Sequence, residues 1–358
     1  MKVGIVLNYI RHDSTYAALK TAEILRDKGY SVTLFDKSHK SVKARLHAYW
    51  DDFILSTKEI PFDDWTDDCD VVIWYTYPSS KEVRALKKYK VPNICVVTWD
   101  SVDSDTISCI KGCSHLVCPS AAQTSYFREY WRLKNVTCIP LDCNWPLTLN
   151  GRKPSEEFSL IVACPGYQIK RIDHSKLFES LYLAMEKNPK LNIDFLFSNK
   201  VASQIKININ KFEKTFPEGN KLICVDDPTG WSEGPLLYSL YDAVLWPVQL
   251  ESFGYVALEA LSMGTPVIAY NFPPMSEIVS DHVNGFIIPC DRKETELGVS
   301  YAVHNGDELL KTLGKVISDK ELVQKVKSNT HKGLEERAEK SSALWDQIID
   351  EAMAEIEK

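Results

Sequence analysis

The sequence predicts an α/β protein made of two doubly wound parallel-sheet domains in tandem. Three observations carry that expectation. Short apolar runs alternate with amphipathic helical segments along almost the whole chain, which is the signature of βαβ units. One stretch rich in Pro, Gly, Asn and charge, NWPLTLNGRKPSEE (144–157), interrupts the alternation near its middle. The chain has 358 residues, and at roughly 100–200 residues per domain that is room for two.

The first half reads element by element. KVGIVLNY (2–9) is an apolar run ending in polar residues, as a buried parallel strand does. Ser14 or Thr15 can cap the following helix, whose stripe is Ala17, Ala18, Ala22 and Leu25 and whose stop is Gly29. SVTLFD (31–36) is the next strand. DVVIWYTY (70–77), NICVVTWD (93–100), SHLVCPS (114–120) and NVTCIPLD (135–142) continue the strands. KEVRALKKYK (81–90) and AQTSYFREYWRL (122–133) are helical, and SVDSDTIS (101–108) is turn-rich. The predicted domains are 1–150, 151–335 and a last helix, 336–358, packing back on the first domain.

The second half repeats the scheme. Strands are predicted at 158–167, 192–198, 221–227, 243–248, 265–270 and 285–289, with helices at 174–187, 235–242 and 254–263 and from about 305 onward. The last helix places Leu344, Ile348, Ile349 and Met353 on one apolar face. In such sheets ligands bind beyond the carboxyl ends of the strands, and with two domains the expected place is the cleft between them.

Composition narrows the function. Hydrophobic residues make 44% and charged residues 25% of the chain, as in ordinary globular proteins. No apolar run approaches the ~20 residues of a membrane span, and the first apolar stretch is too short for a secretory signal, so an intracellular, cytoplasmic address is expected. The ten cysteines contain no CxxC pair; they read as reduced, buried thiols, with no metal site. A net charge of −7 argues against a nucleic-acid backbone as main partner. The basic run at 81–90 falls at helical spacing, as a solvated face does. Oligomeric state cannot be read.

The stretch ESFGYVALE (251–259) sits just past the strand AVLWPV. Gly254 allows close backbone approach, and the first N–H groups of the helix that follows have no partner inside it. With the helix dipole they suit a phosphate. A carboxylate would repel phosphate, but Glu251 and Glu259 can accept hydrogen bonds from hydroxyls. Two polyols flanking a diphosphate make a nucleotide sugar. An ordinary core helix ending at Gly264 fits the spacing too.

Residues 243–289 resemble the nucleotide-sugar-binding signature of retaining GT-B glycosyltransferases, in particular the fourth (group 1) family. The matching residues are Pro247, Glu251, Phe253, Gly254, Glu259, Ala260, Gly264, Pro266, Val267, Glu277, Ile278, Val279 and Gly285. NVTCIPLD and LVCPSAAQTSYF are similar to segments of that family's first domain. The resemblance implies two Rossmann-like domains facing a cleft and a metal-independent hexosyl- or pentosyltransferase that takes its donor as a substrate and needs no cofactor. It places Glu251 on the transferred sugar, the amides of Phe253, Gly254 and Tyr255 on the sugar and diphosphate, Ser252 among the donor-binding residues, and Glu259 on the ribose.

The chain departs from the family pattern elsewhere. Where the family has Gly-Arg and a later Lys, this sequence has CPGYQIKRID, so Lys170 or Arg171, or both, are expected on the diphosphate. NYIRHDST replaces a glycine pair and offers Arg11, His12 and Asp13 to acceptor or donor. Trp99 and Asp100 stand where the family often has His, and Asp100 is expected to orient an acceptor hydroxyl. Trp99 is offered as a stacking surface for a sugar or base; a packed Trp with a turn-forming Asp fits the two residues slightly better. DDCD (67–70) reads as a turn between helix and strand, and SEGP (232–235) is expected near the nucleotide base. The acceptor is more readily a glycan or lipid-linked glycan than nucleic acid. A phage- or virus-type enzyme acting on a hydroxylated DNA base, and a non-catalytic sugar-nucleotide or glycan-binding subunit, remain as alternatives.

Overall fold

The structure, a computed structural model, describes residues 1–8, 12–37, 54–56, 60–141, 157–164, 172–198, 222–225 and 234–354. The chain divides into two compact units, Met1–Asp142 with Glu336–Lys358, and Cys143–Glu335.

The first unit is built on strands β1 (Lys2–Leu7), β2 (Ser31–Asp36), β3 (Ile54–Ser56), β4 (Val71–Trp74), β5 (Asn93–Val96), β6 (His115–Cys118) and β7 (Val136–Cys138). Their order is β3-β2-β1-β4-β5-β6-β7, and every pairing is parallel. Because helices cover the faces of such a sheet, its strands are apolar on both sides, and Val71–Trp74 is buried throughout. The helix His12–Asp27 buries Ala17, Ala18, Ala22 and Leu25, the stripe read from the sequence, and Gly29 follows it with φ 88°. The helix starts before Ser14 and Thr15, and Thr15 donates its hydroxyl to the carbonyl of Asn8 at 3.1 Å instead of capping. The segment read as turn-rich contains a helix, Ser104–Ile110, because the Asp103 side chain accepts the Thr106 N–H at 2.8 Å and starts it. In Ser80–Tyr89, Val83 and Leu86 face inward while Lys81, Arg84, Lys87 and Lys88 are exposed, so the basic run is a solvated face. DDCD is a turn held by Lys2, whose amide donates to Asp70 and whose ammonium pairs with Asp68.

The helix Leu334–Ala354 belongs to the first unit from Glu336 on. Arg337 Nε donates to the Leu141 carbonyl at 2.7 Å, Tyr30 donates to Asp346 at 3.1 Å, and Lys28 pairs with Asp346. Its buried residues are Ser341, Trp345, Ile348, Ile349 and Ala352, with Leu344 and Met353 only half-buried. The face is thus rotated from the predicted one. The large indole of Trp345 buries more area than Leu344 would, and that settles which stripe turns inward.

The second unit carries β8 (Phe158–Cys164), β9 (Leu191–Ser198), β10 (Leu222–Val225), β11 (Ala243–Trp246), β12 (Val267–Tyr270) and β13 (Gly285–Ile288), in the order β10-β9-β8-β11-β12-β13 and again all parallel. This is the order of a dinucleotide-binding sheet, with its switch point between β8 and β11. A hairpin the sequence reading did not anticipate, β14 (Asp291–Glu294) with β15 (Ser300–Val303), follows β13. Its first strand, DRKE, is exposed at every position, so it has no apolar alternation to reveal it. The linker 144–156 lies outside the described residues.

Candidate nucleotide-sugar site

β11 is interior to its sheet and ends at Trp246, at the switch point. The chain then runs through Pro247–Ser252 to Gly254, which caps the helix Tyr255–Ser262. Gly254 has φ 78°, and a Cβ there would lie 2.4 Å from Ile278 Cδ1 and 2.7 Å from Met275 Cε. Glycine is favoured there by its backbone angle, while the two close atoms are the ends of flexible side chains that can turn aside. All eight residues of Tyr255–Ser262 are buried, so the helix is apolar nearly all round and needs no polar face. It ends in a Schellman motif. Thr265 N bonds to Ala260 O at 2.9 Å, Gly264 N bonds to Leu261 O at 3.1 Å, and Gly264 takes φ 77°.

Within this frame Glu251 is only 4% exposed. Burying a carboxylate is costly unless hydrogen bonds replace its water. Its Oε1 accepts the backbone N–H of Ser252 at 2.7 Å and of Phe253 at 3.1 Å, and its Oε2 accepts the indole N–H of Trp246 at 3.1 Å. The amides of Ser252 and Phe253, two residues assigned from the sequence to the donor, are therefore engaged by Glu251. Trp246 had been read only as a strand residue. Its part here depends on the loop folding back onto the strand end, which spacing does not reveal. Glu259 lies on the second turn, 3% exposed, and Ser252, Phe253 and Tyr255 are buried too, the Phe253 and Tyr255 rings stacking at 5.5 Å. The loop is tied to the hairpin through Gln249, whose carbonyl accepts Ala302 N–H at 2.8 Å and whose amide donates to Ala302 O at 3.1 Å.

The rest of the signature is structural. Asn284 spans its turn, accepting Ser280 N–H at 2.8 Å and donating to Ile278 O at 3.1 Å. A Cβ on Gly285 would come within 2.3 Å of the Val267 carbonyl, so strands β12 and β13 pair closely only with glycine there. Glu277 is exposed on the short helix Met275–Ile278.

A second polar chain lies in the same unit. Ser180 donates to Lys176 O at 2.8 Å, leaving its oxygen to accept His304 Nε2–H at 3.2 Å, and His304 Nδ1 accepts the Tyr270 hydroxyl. Burial pushes the His304 imidazole below its ordinary pKa, with Asp173 acting upward and Lys176 downward.

The other predicted residues fall as follows. Lys170, Arg171 and Arg11 lie outside the described residues, as do Ser232 and Glu233 of SEGP. His12 and Asp13 form the first turn of His12–Asp27. Trp99 begins a 3-10 turn just beyond β5, 5% exposed, with its N–H donated to Gln123 Oε1 at 3.2 Å and its ring edge-on to Tyr126 at 6.3 Å. Asp100 is half-buried next to it. Among the described residues no group of three or more His, Cys, Asp or Glu is gathered as for a metal ion, and Cys69, Cys95, Cys109, Cys113, Cys118, Cys138 and Cys290 are free thiols. No helix among them is long and apolar enough to cross a membrane.

The first comparison is with whole structures. A glycosyltransferase from Rickettsia africae superposes with a TM-score of 0.74 at 12% identity, covering 98% of both chains. The Anabaena protein HepE, solved with UDP and glucose, gives 0.72 at 14% identity, covering 97% of this chain and 98% of its own. The fold is GT-B. Residues 229–333 match the family described as Glycosyl transferases group 1, which is the resemblance residues 243–289 carry. The GtfA subunit of the UDP-N-acetylglucosamine–peptide N-acetylglucosaminyltransferase of Streptococcus pneumoniae is 29% identical over 155 residues, 42% of this chain, and the match spans 28% of that protein's length.

Proposed function

We propose that this GT-B protein is a retaining glycosyltransferase that moves a sugar from a nucleotide-diphosphate sugar to an acceptor hydroxyl. The observation that carries the reading is the Glu251 carboxylate, buried and fixed at the carboxyl end of β11, at the head of a buried helix that also carries Glu259. A carboxylate held this way is suited to accept hydroxyl hydrogen bonds from a hexose, and Glu259 is suited to the ribose. Lys170 and Arg171 are assigned to the diphosphate, and Trp99, Asp100, Arg11, His12 and Asp13 to the acceptor side. The UDP bound to HepE makes a UDP-sugar the first donor to try.

In the proposed step the bond from the anomeric carbon to the phosphate oxygen breaks. The acceptor oxygen bonds that carbon on the same face, and the acceptor's proton passes to the departing phosphate. No protein nucleophile takes part, and the protein's contribution is orientation and charge stabilisation.

A thermal-shift series with UDP-glucose, UDP-N-acetylglucosamine and GDP-mannose tests the reading, since a ligand that binds only the folded state raises Tm by linkage. One of them is expected to raise Tm and to be cleaved to nucleoside diphosphate. Glu259→Ala is expected to weaken donor binding about tenfold or more, as loss of hydrogen bonds to a charged group does. Glu251→Gln is expected to lower turnover more than binding. A donor that binds but is never cleaved identifies a sugar-nucleotide-binding subunit instead, and parental rates in both variants overturn the site.

A further inference from the structure

We infer that Trp246 is a positioning residue for Glu251, holding the carboxylate in the one orientation that serves the transferred sugar. The inference rests on the proposed function and goes beyond it, because it gives a role to a residue that is not among those matching the family signature.

The physical case starts with the two partners' freedom. Trp246 closes β11, where Leu245 and Trp246 are in register with Ile268 and Ala269, so its backbone is fixed by a parallel ladder inside the sheet. Its indole is 1% exposed, among the largest fully buried side chains of the protein. A buried indole has one donor, and leaving it unpaired would cost stability. Glu251, by contrast, stands in a loop and has three side-chain torsions. The Ser252 and Phe253 amides grip only Oε1 and leave rotation about that contact. The Trp246 bond to Oε2 removes the rotation. Among the described residues, these three donors on two oxygens define the plane of the carboxylate. A hydrogen-bond acceptor for a sugar hydroxyl works best when that plane is set before the sugar arrives. Phenylalanine has no donor to offer here, and tyrosine places its hydroxyl farther out.

Trp246→Phe keeps an aromatic ring in the core and removes the donor, so it is the informative substitution. It is expected to leave UDP affinity, read by calorimetry, within about twofold, and to lower kcat for UDP release from UDP-glucose roughly tenfold with little change in KM, the size expected for one hydrogen bond to a charged group. In a Glu251→Gln background the same substitution is expected to add almost nothing, because the two residues act as one unit. A loss that instead multiplies in the double variant marks Trp246 as a packing residue and overturns the inference, as does a parental kcat in Trp246→Phe. A second measurement does not depend on activity. The indole N–H resonance lost in Trp246→Phe identifies Trp246, and it is expected to move upfield in Glu251→Gln, where the acceptor becomes neutral. An unmoved resonance overturns the contact itself. If none of UDP-glucose, UDP-N-acetylglucosamine and GDP-mannose is bound or cleaved and the resonance still moves, the contact stands while the enzymatic reading and the role built on it fall.

Discussion

Two glycines at the ends of one buried helix separate backbone strain from steric fit. Gly254 and Gly264 have nearly the same positive φ, 78° and 77°, but a Cβ at Gly254 meets Ile278 and Met275 while one at Gly264 meets nothing within 4 Å. Gly264→Ala should therefore cost only the left-handed conformation, about 1 kcal/mol. Gly254→Ala should cost somewhat more, roughly 2 kcal/mol, since the Ile278 and Met275 side-chain ends have to turn aside as well. Urea unfolding of the two variants checks the difference, and equal losses would show that the Gly254 contact relaxes freely. His304 offers a pH test. Its folded pKa is depressed from 6.5 by burial, so the unfolded chain binds the proton more readily. The stability it contributes is complete above about 6.5 and is lost as pH falls through the lower folded value. His304→Gln should flatten that part of the acid limb of a Tm–pH profile; an unchanged slope would mean that other groups set it. The signature glutamates were legible in the sequence because a strand end, a glycine and a helix fixed their spacing. The partners of Glu251 were not, since a carboxylate that folds back on its own loop leaves no periodic trace.

At the level of elements, periodicity worked where one face is buried and failed where burial depends on shape. The stripe of His12–Asp27 was fully legible, because alanines and leucine at helical spacing admit one inward face. The helix Leu334–Ala354 admitted two, and the indole of Trp345, 2% exposed, decided between them. Trp345→Ala is expected to cost about 3–5 kcal/mol, as large aromatic truncations in cores do. Leu344→Ala, on the half-buried flank, should cost less than about 1 kcal/mol. Denaturant midpoints for the pair check the orientation, and a reversed ranking would contradict it. The hairpin of β14 and β15 and the helix Ser104–Ile110 were missed for opposite reasons, the one lacking apolar alternation and the other hidden by Asp and Ser residues that serve as its cap.

For the whole molecule, both sheets share the 3-2-1-4-5-6 order, the first extended by one more parallel strand, and this plan was legible because βαβ units announce themselves by alternation. The division of the chain has an energetic side. Ser341 and Trp345 line a small internal cavity of the first unit together with Ala17, Thr21, Tyr75 and Leu141. Cutting the chain after Glu335 should therefore unfold or loosen the first unit while leaving amide protection in β8–β13 intact, read by hydrogen exchange. Uniform loss of protection in both units would show that they unfold as one.

The same chain path carries a cost during synthesis. A ribosome adding roughly 5–20 residues per second finishes everything from Cys143 to Glu335 before the segment bearing Trp345 emerges. For some tens of seconds the nascent amino-terminal sheet waits with an uncovered greasy flank, an occasion for a chaperone to hold it.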